Sequence, residues 1–174
     1  MPKRKTLLDV GCGEGRDCIA FAKKGYAVMG IEKNPSVFEK AKNNVNSSVG
    51  RKYIELYNKD IREMQLNKKF DKILCNFVLM FMPKKDFMEM LERLYAKLND
   101  GGELLIKVLM ADDPVAIRLR QKDEVFFPSY NDMRELEYRY GGTLKFKLQR
   151  DKPHGNLDFP HIHSVGILKI LHKY

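Results

Sequence analysis

A glycine-rich segment after the first predicted strand constrains the fold of this chain more than any other feature. Thr6–Val10 is a short apolar run typical of a buried strand, and residues 11–15 that follow have the sequence Gly-Cys-Gly-Glu-Gly. Glycines here let the backbone turn sharply and approach a ligand at the amino end of the next helix, which carries partial positive charge. The segment therefore predicts an open α/β sheet that binds a ligand beyond the carboxyl end of its first strand.

Strand and helix patterns alternate along the rest of the chain. We predict further strands at Tyr26–Ile31, Tyr53–Tyr57, Phe70–Asn76, Glu103–Leu109, Leu144–Leu148 and Val165–Leu171. Helices are predicted at Arg16–Lys24, from Pro35 with Asn34 as its cap, at Lys84–Leu98 with residues 99–102 ending it, and at Asn131–Tyr140. Five βα units followed by a hairpin predict a doubly wound, mostly parallel seven-stranded sheet with an antiparallel last strand, as one domain over residues 1–174.

Composition narrows the class of protein. The chain has 174 residues, of which 44% are hydrophobic and 32% charged, a balance typical of a globular domain. Its longest apolar stretch, Ile73–Met82, is far shorter than the roughly 20 residues of a membrane helix. The three cysteines, Cys12, Cys18 and Cys75, form no C-x-x-C pair and are too few for a disulfide framework. We therefore expect a reduced, cytoplasmic protein in which the cysteines are small core residues.

The basic charge leaves one alternative open. Lys and Arg number 32 against 23 Asp and Glu, a net charge of +9 that favours anionic substrates or nucleic acid. The lysines are nevertheless spread along the chain in pairs at element ends, where solvated lysines are ordinary. A small-molecule substrate is therefore the favoured prediction, with nucleic acid as the alternative; the oligomeric state is left open.

Acidic residues at the next two strand ends complete a nucleoside pocket. Glu32 follows the second strand about twenty residues after the glycines, where a carboxylate can accept hydrogen bonds from ribose hydroxyls, and Asp60 follows the third. A dinucleotide site needs G-x-G-x-x-G, but here Arg16 occupies the place of the last glycine. Asp9, two residues before the first glycine, would repel a pyrophosphate and attract an amino group.

The pattern Asp-x-Gly-x-Gly-x-Gly over residues 9–15 resembles motif I of the class I S-adenosylmethionine-dependent methyltransferases. Residues 70–76 and 98–108 are similar to the fourth- and fifth-strand motifs of that family, and the terminal hairpin is similar to its last two strands. The resemblance covers nearly the whole chain. It implies a Rossmann-like methyltransferase fold with S-adenosylmethionine as cofactor.

The same resemblance implies a role for each residue of the cofactor site. Asp9 would bind the methionyl amino group, Glu32 the ribose, and Asp60 with Ile61 the adenine. Asn76 would lie near the cofactor through its backbone. The predicted cofactor residues are Asp9, Gly11, Cys12, Gly13, Glu32, Asp60, Ile61 and Asn76.

Within this family, the small tellurite-resistance type is the most similar. The similar segments are residues 78–82, the Phe-Phe-Pro turn at 126–128 and the His-x-His-x-Val-Gly run at 161–166. Met80 and Phe81 are interpreted as core or as a wall of the substrate pocket. The first predicted strand begins at Thr6, so we expect no N-terminal helices of the kind with which many relatives cover the cofactor, and segment 110–130 is the predicted lid.

Histidines in the connection between the last two predicted strands are the candidates for catalysis. This connection, residues 149–163, is long and contains His154, His161 and His163. His161 and His163 could act as general base, as substrate-binding groups or as half of a metal site, and His154 could contact substrate, whereas a solvated loop is the alternative interpretation. No cysteine or third ligand completes a zinc site, so no metal is predicted.

Methyl transfer to a small-molecule or anionic acceptor is the function that these features favour. A thiolate or a chalcogen oxyanion would need no base, whereas a protonated nucleophile would. The alternatives are an RNA or protein methyltransferase recruited through basic charge, a nucleotide-sensing module without activity, and a dehydrogenase. The prolines that hold planar amino groups in nucleic-acid methyltransferases are absent after Asn76, which disfavours that acceptor.

Overall fold

The structure is a computed structural model that describes residues 4–119, 124–151 and 161–172. Within these residues, strands are found at β1 Thr6–Val10, β2 Ala27–Ile31, β3 Ile54–Tyr57, β4 Phe70–Asn76, β5 Leu98–Leu109, β6 Thr143–Asp151 and β7 His161–Leu171. The helices are α1 Arg16–Lys23, α2 Pro35–Asn46, α3 Lys84–Tyr95, α4 Pro114–Leu119 and α5 Tyr130–Tyr140, with 3₁₀ turns at Arg51–Tyr53 and Leu79–Phe81.

The strands form one sheet in the order β3-β2-β1-β4-β5-β7-β6. β1 pairs in parallel with β2 and β4, and β2 pairs in parallel with β3. β6 and β7 are antiparallel, with Gln149 opposite His163. The predicted fold class, a mostly parallel α/β sheet of seven strands with an antiparallel last strand, is confirmed.

The described chain divides into two compact units. The first contains the residues up to Asn76, Glu92–Leu104 and the chain end from Leu171, and the second contains Phe77–Leu91 and Leu105–Ile170. The first unit buries apolar side chains of its parallel strands, and the second buries those of α3, α5 and β7. The prediction of a single domain over residues 1–174 stays a prediction.

Helix starts follow local side-chain chemistry. The Oδ1 atom of Asn34 accepts hydrogen bonds from the backbone N–H groups of Ser36 at 3.0 Å and Val37 at 3.3 Å, which fixes α2 at the predicted residue. α5 begins one residue before the predicted Asn131 because Ser129 and Asp132 form a reciprocal capping box.

The predicted end of the third helix is wrong. α3 ends at Tyr95, and residues 99–102 belong to β5 instead of a turn. The backbone N–H of Phe70 donates to the carbonyl of Lys97 at 2.8 Å, and the backbone N–H of Gly101 donates to the carbonyl of His172 at 3.1 Å. These partners are distant in sequence, so sheet pairing overrides the local turn propensity of Asn-Asp-Gly-Gly.

The predicted connection between the last strands is also wrong in its bounds. β6 continues to Asp151 and β7 begins at His161, with these two residues paired across the hairpin. The connection is therefore residues 152–160, outside the described residues, and His163 lies within a strand. Among the described residues, no helix is both long and apolar enough to cross a membrane.

Candidate active site

The glycine loop after β1 has the backbone conformation that its sequence predicts. Gly11, Gly13 and Gly15 have positive φ angles of 65°, 55° and 81°. A Cβ atom on Gly15 would lie 3.3 Å from Val45 and 3.6 Å from the Cβ of Ala41, so a hydrogen there lets α1 approach α2 closely. A Cβ atom on Gly13 would meet nothing within 4 Å. The loop thus leaves room beside the predicted cofactor residues.

Glu32 joins the end of β2 to this loop. Its carboxylate accepts hydrogen bonds from the backbone N–H of Gly13 at 3.1 Å and from that of Asn34 at 2.9 Å. The side-chain amide of Asn58, beyond β3, donates to the Glu32 carbonyl at 2.8 Å and fixes its backbone. Each carboxylate oxygen keeps a further lone pair, so Glu32 can accept from vicinal hydroxyls while holding the loop.

Asp9 is a buried acid in β1, directly under the loop. Only 2% of its surface is exposed, and the Cys18 thiol donates to its Oδ2 atom at 3.3 Å. Burial raises the pKa of the Asp9 carboxyl from 3.8 to about 7, and the carboxylates of Asp17 and Glu32 raise that pKa further. A bound cation would stabilise the ionised form that burial and these neighbours oppose.

Asn76 and Asp17 form a polar pair that the sequence analysis did not predict. The Nδ2 atom of Asn76, at the end of β4, donates to the Oδ2 atom of Asp17, in the first turn of α1, at 2.6 Å. The Asn76 Oδ1 atom is buried and has no hydrogen-bond partner among the described residues. A buried acceptor beside a carboxylate suits an ammonium group. An acid in a first helical turn is common, so sequence offered no distinguishing signal for Asp17.

Asp60 has a partner that the sequence analysis also missed. Its carboxylate accepts from the backbone N–H of Arg62 at 2.9 Å and from the Arg62 guanidinium at 2.6 Å. This guanidinium is the main reason that the pKa of Asp60 lies below its usual value. Ile61 is buried beside it. A cavity of about 690 Å³ opens next to these residues and is lined by Lys33, Asn34, Pro35, Asn58, Lys59, Asp60 and Glu63.

The cysteines are core residues. Cys12 and Cys18 place their sulfur atoms 3.1 and 2.7 Å from the position of a Cβ atom on Gly30, which explains the glycine in β2. The backbone N–H of Cys12 donates to the carbonyl of Ile31 in β2 at 3.0 Å, which ties the loop to that strand. Burial raises the pKa of Cys75, and a hydrogen bond with Cys12 raises that of Cys18. These thiols are therefore poor nucleophiles.

The chain leaves β4 in a strained conformation. Phe77 has a φ angle of 56°, the one positive φ of a non-glycine residue within the described chain, and its N–H donates to Lys107 at 2.8 Å. Met80 is buried and accepts the Leu109 N–H on its sulfur at 3.4 Å, which places it in the core of the second unit. Phe81 is 47% exposed and remains available as a substrate contact.

His163 is the predicted catalytic residue with the most definite environment. It lies within β7, is 6% exposed, and its Nδ1 atom lies 2.9 Å from Oδ2 of the fully buried Asp113. His161 is the first residue of β7, and His154 lies outside the described residues. Sequence reasoning missed Asp113 because fifty positions separate it from its partner.

Segment 110–130, the predicted lid, is anchored within the second unit. The N–H of Met110 donates to Ser164 at 2.8 Å, and that of Ala111 donates to Pro128 at 3.0 Å. Closure by this segment stays a prediction. In the described part of the chain, no group of three or more His, Cys, Asp or Glu side chains is arranged to hold a metal ion.

Comparison with known proteins places the chain among methyltransferases. A family model described as a methyltransferase domain matches residues 2–140. An arsenite methyltransferase from Aquipseudomonas alcaligenes is 31% identical over 168 residues, which cover 84% of this chain and 46% of that protein. A carboxy-S-adenosyl-L-methionine synthase from Shewanella loihica is 24% identical over 137 residues, or 75% of this chain and 56% of that protein. The chain thus spans about half the length of these curated relatives.

Solved structures share the fold. TehB from Haemophilus influenzae superposes with a TM-score of 0.75 at 18% identity. The superposition covers 98% of this chain and 58% of the TehB chain. Magnesium protoporphyrin IX methyltransferase from Synechocystis, crystallised with bound S-adenosylmethionine, gives a TM-score of 0.67 at 17% identity, over 99% of this chain and 71% of that chain.

Proposed function

The chain belongs to the class I S-adenosylmethionine-dependent methyltransferases, and from this premise we propose that it is of the TehB-like type and methylates a small-molecule or anionic acceptor. The observation that carries the proposal is the hydrogen bond from Gly13 to the Glu32 carboxylate, in the loop that follows the strand of the buried Asp9. This arrangement offers a carboxylate for hydroxyl groups and a carboxylate for a cation next to one glycine loop.

The residues present fit the methyl donor of this family. Asp9, Asp17 and the Oδ1 atom of Asn76, which has no hydrogen-bond partner within the described residues, would supply acceptors and negative charge for an α-ammonium group. Glu32 suits ribose hydroxyls, and Asp60 with the buried Ile61 lines the side where adenine would lie. The Arg62 guanidinium already donates to the Asp60 carboxylate, so adenine and Arg62 would both contact this carboxylate.

When bound, the donor would supply a methyl group on a cationic sulfur, open to attack by an acceptor at the methyl carbon in line with the carbon–sulfur bond, with the neutral thioether as the leaving group. The contribution of the chain is alignment and charge, because such a displacement depends on approach geometry more than on strong acid or base catalysis. Glu32 and the glycine loop would fix the donor, while Asp9 would compensate its positive charge. An acceptor that is already anionic would need no proton removed.

An anionic acceptor, such as a thiolate or a chalcogen oxyanion, is supported by two observations. The net charge of +9 favours association with anions. The relatives include an arsenite methyltransferase, and the shared fold includes TehB. RNA or protein remains the second candidate function, supported by the charge alone.

A methyl-transfer assay tests this proposal. Donor labelled in its methyl group is incubated with the protein and, separately, with a thiol, arsenite, tellurite and total RNA. We expect label in a small-molecule product and none in RNA. Transfer to RNA, with binding that weakens steeply as salt rises, would replace the small-molecule acceptor with the second candidate.

A further inference from the structure

Pairs of basic residues precede four parallel strands of the first unit. These pairs are residues 4–5 before β1, 23–24 before β2, 51–52 before β3 and 68–69 before β4. β1 pairs in parallel with β2 and β4, and β2 pairs in parallel with β3, so the four strands begin at one edge of the sheet. The four pairs, whose side chains are all exposed, therefore form one surface, the basic edge.

Side-chain contacts join these pairs across the strands. The guanidinium carbon of Arg4 lies 3.6 Å from the centre of the Tyr53 ring, which follows the pair before β3. The Nζ atom of Lys52 lies 5.0 Å from the same ring centre. A Cβ atom on Gly25, in the turn before β2, would lie 3.6 Å from an Nη atom of Arg4. Arg4 thus connects the segments that lead into three strands.

Few carboxylates offset the charge of the basic edge. The segments 4–5, 23–26, 47–53 and 65–69 contain no Asp or Glu. Among their cations, only Lys68 forms an ion pair within the described residues, with Glu55 at 3.9 Å. The segments that follow the strands are mixed instead: residues 11–15, 32–34 and 58–63 together contain four acids and three cations. Positive charge is therefore concentrated at the amino ends of the strands.

The nearby side chains agree with this positive potential. The Lys52 ammonium, together with Arg4, holds the pKa of the Tyr53 hydroxyl below its usual value. The carboxylate of Asp71, in β4, accepts from the backbone N–H of Thr6 at 2.6 Å and from the side chain of Asn99 at 2.9 Å. Its hydrogen bonds therefore go to neutral donors, and the cations of the basic edge keep their charge exposed.

A row of cations suits a polyanion better than a single small anion. Neighbouring strands are about 4.8 Å apart, so four strand starts extend over roughly 14 Å. A chain of phosphates can contact several cations along this distance and release the counterions that it carries. A small anion contacts too few of them for a comparable gain.

Aromatic rings beside the cations favour a single-stranded nucleic acid among polyanions. Tyr26 and Tyr53 are partly exposed, and Arg4 is exposed over the Tyr53 ring. Unpaired bases stack on such rings and on arginine side chains, whereas an acidic peptide offers only charge. A membrane surface would need an apolar anchor besides the charge, and Val49 is the one exposed large apolar residue in the described segments of this edge.

We propose that the basic edge binds a single-stranded nucleic acid through its phosphates, with one base stacked at Arg4 and Tyr53. The glycine loop follows β1, whereas residues 4–5 precede it, so the bound strand lies at the opposite end of β1 from that loop. The strand is therefore a docked partner and not the methyl acceptor. This interaction goes beyond the proposed function and does not depend on it.

Fluorescence anisotropy with a labelled, unstructured RNA of 15 nucleotides tests the proposal. We expect a micromolar Kd at 50 mM NaCl, with log K falling by about 0.7 per unit of log salt for each phosphate contacted. Lys5→Glu/Lys52→Glu should weaken binding at least 20-fold and make this salt slope shallower by about 1.4, the share of two contacts.

Matched variants separate the basic edge from net charge. Lys145→Glu/Lys147→Glu, at exposed lysines of β6, makes the same change in net charge and should weaken binding less than threefold. Lys23→Glu/Lys69→Glu alters the other two pairs and remains informative if the first variant unfolds. Stacking predicts a loss of about fivefold or more in Tyr53→Ala and less than twofold in Tyr53→Phe.

Amide spectra of the full chain locate the site. We expect RNA to shift the signals of residues 24–26 and 50–53 and to leave those of residues 11–15 in place. No RNA binding by the wild-type protein, equal losses in the edge and β6 variants, or shifts confined to the glycine loop would overturn the proposal. Tighter binding of duplex DNA, polyglutamate or anionic phospholipid vesicles than of RNA would also overturn it. Failure to bind S-adenosylmethionine would overturn only the proposed function.

Discussion

At the scale of single residues, the burial of Asp9 has a consequence for the stability of the protein. Its carboxyl is buried, and its pKa is about 7 in the folded protein, compared with 3.8 when it is free. The unfolded chain therefore loses this proton near pH 4, while the folded chain keeps it until about pH 7. Since the folded state binds more protons in that window, the contribution of Asp9 to the free energy of unfolding falls as pH rises from about 4 to 7. The ionised carboxylate thus lowers the stability of the folded protein and would be available to bind a cation.

Donor affinity should depend on pH through this residue. Because a cationic ligand favours ionised Asp9, whose pKa is about 7, we expect binding of S-adenosylmethionine to be about 15-fold weaker at pH 5.5 than at pH 7, a range in which the donor's α-amino group stays protonated. Calorimetric titration across this range measures the effect. In Asp9→Asn the pH dependence should disappear; its persistence there would assign it to another group.

Removal of the charge should stabilise the protein without ligand. We expect Asp9→Asn to raise the free energy of unfolding at pH 8 by up to about 4 kcal/mol, the equivalent of a shift of roughly 3 pKa units, and to weaken donor binding at least 30-fold. Urea denaturation checks the first effect, with Asp112→Asn as an exposed control. A less stable Asp9→Asn variant would contradict a buried, destabilising charge.

At the scale of elements, the contact between α1 and α2 depends on one glycine of the loop. Gly15 combines a φ angle of 81° with a Cβ position 3.3 Å from Val45, whereas Gly101 in β5 has a φ angle of 71° and no neighbour within 4 Å of its Cβ position. A substitution at either glycine would strain the backbone, but only a substitution at Gly15 would also crowd a neighbouring side chain. Comparing the two positions therefore separates the cost of backbone strain from the cost of crowding.

Alanine at these glycines should give unequal losses. Gly101→Ala is expected to lower the free energy of unfolding by about 1–2 kcal/mol through backbone strain alone. Gly15→Ala should cost about 1 kcal/mol more, because a methyl group would press on Val45. Urea denaturation of both variants measures the difference, and equal losses would show that α2 moves away freely.

Element patterns were predictable where local chemistry and sheet pairing agree. Asn34 and Pro35 fixed the start of α2, and the bounds of β1 and β4 matched their apolar runs. The predicted turn at residues 99–102 failed because its backbone pairs with His172, a partner more than seventy positions away. Such pairing depends on the sheet order, which no local window contains.

At the scale of the whole molecule, the sequence analysis predicted the strand ends that carry the candidate cofactor residues, and in the structure the backbone N–H of Gly13 donates to the Glu32 carboxylate. The pairs that refine the site were not predictable: Asp17 with Asn76, Arg62 with Asp60, and Asp113 with His163. Acidic residues in the first turn of a helix and arginines after strands are common. Only the three-dimensional structure shows which of them are in contact. The identity of the methyl acceptor could not be predicted from the sequence for the same reason, because acceptor sites are formed by loop residues that are distant in sequence.

The central claim is that the glycine loop with Glu32 and Asp9 binds S-adenosylmethionine. Isothermal titration of the wild-type protein at pH 8, beside Glu32→Ala, tests it most directly. We predict one donor molecule bound per chain, binding of S-adenosylhomocysteine at the same site, no heat with NAD, and at least tenfold weaker donor binding in Glu32→Ala. No heat from either adenosyl compound with folded wild-type protein, or unchanged affinity in the variant, would contradict the claim.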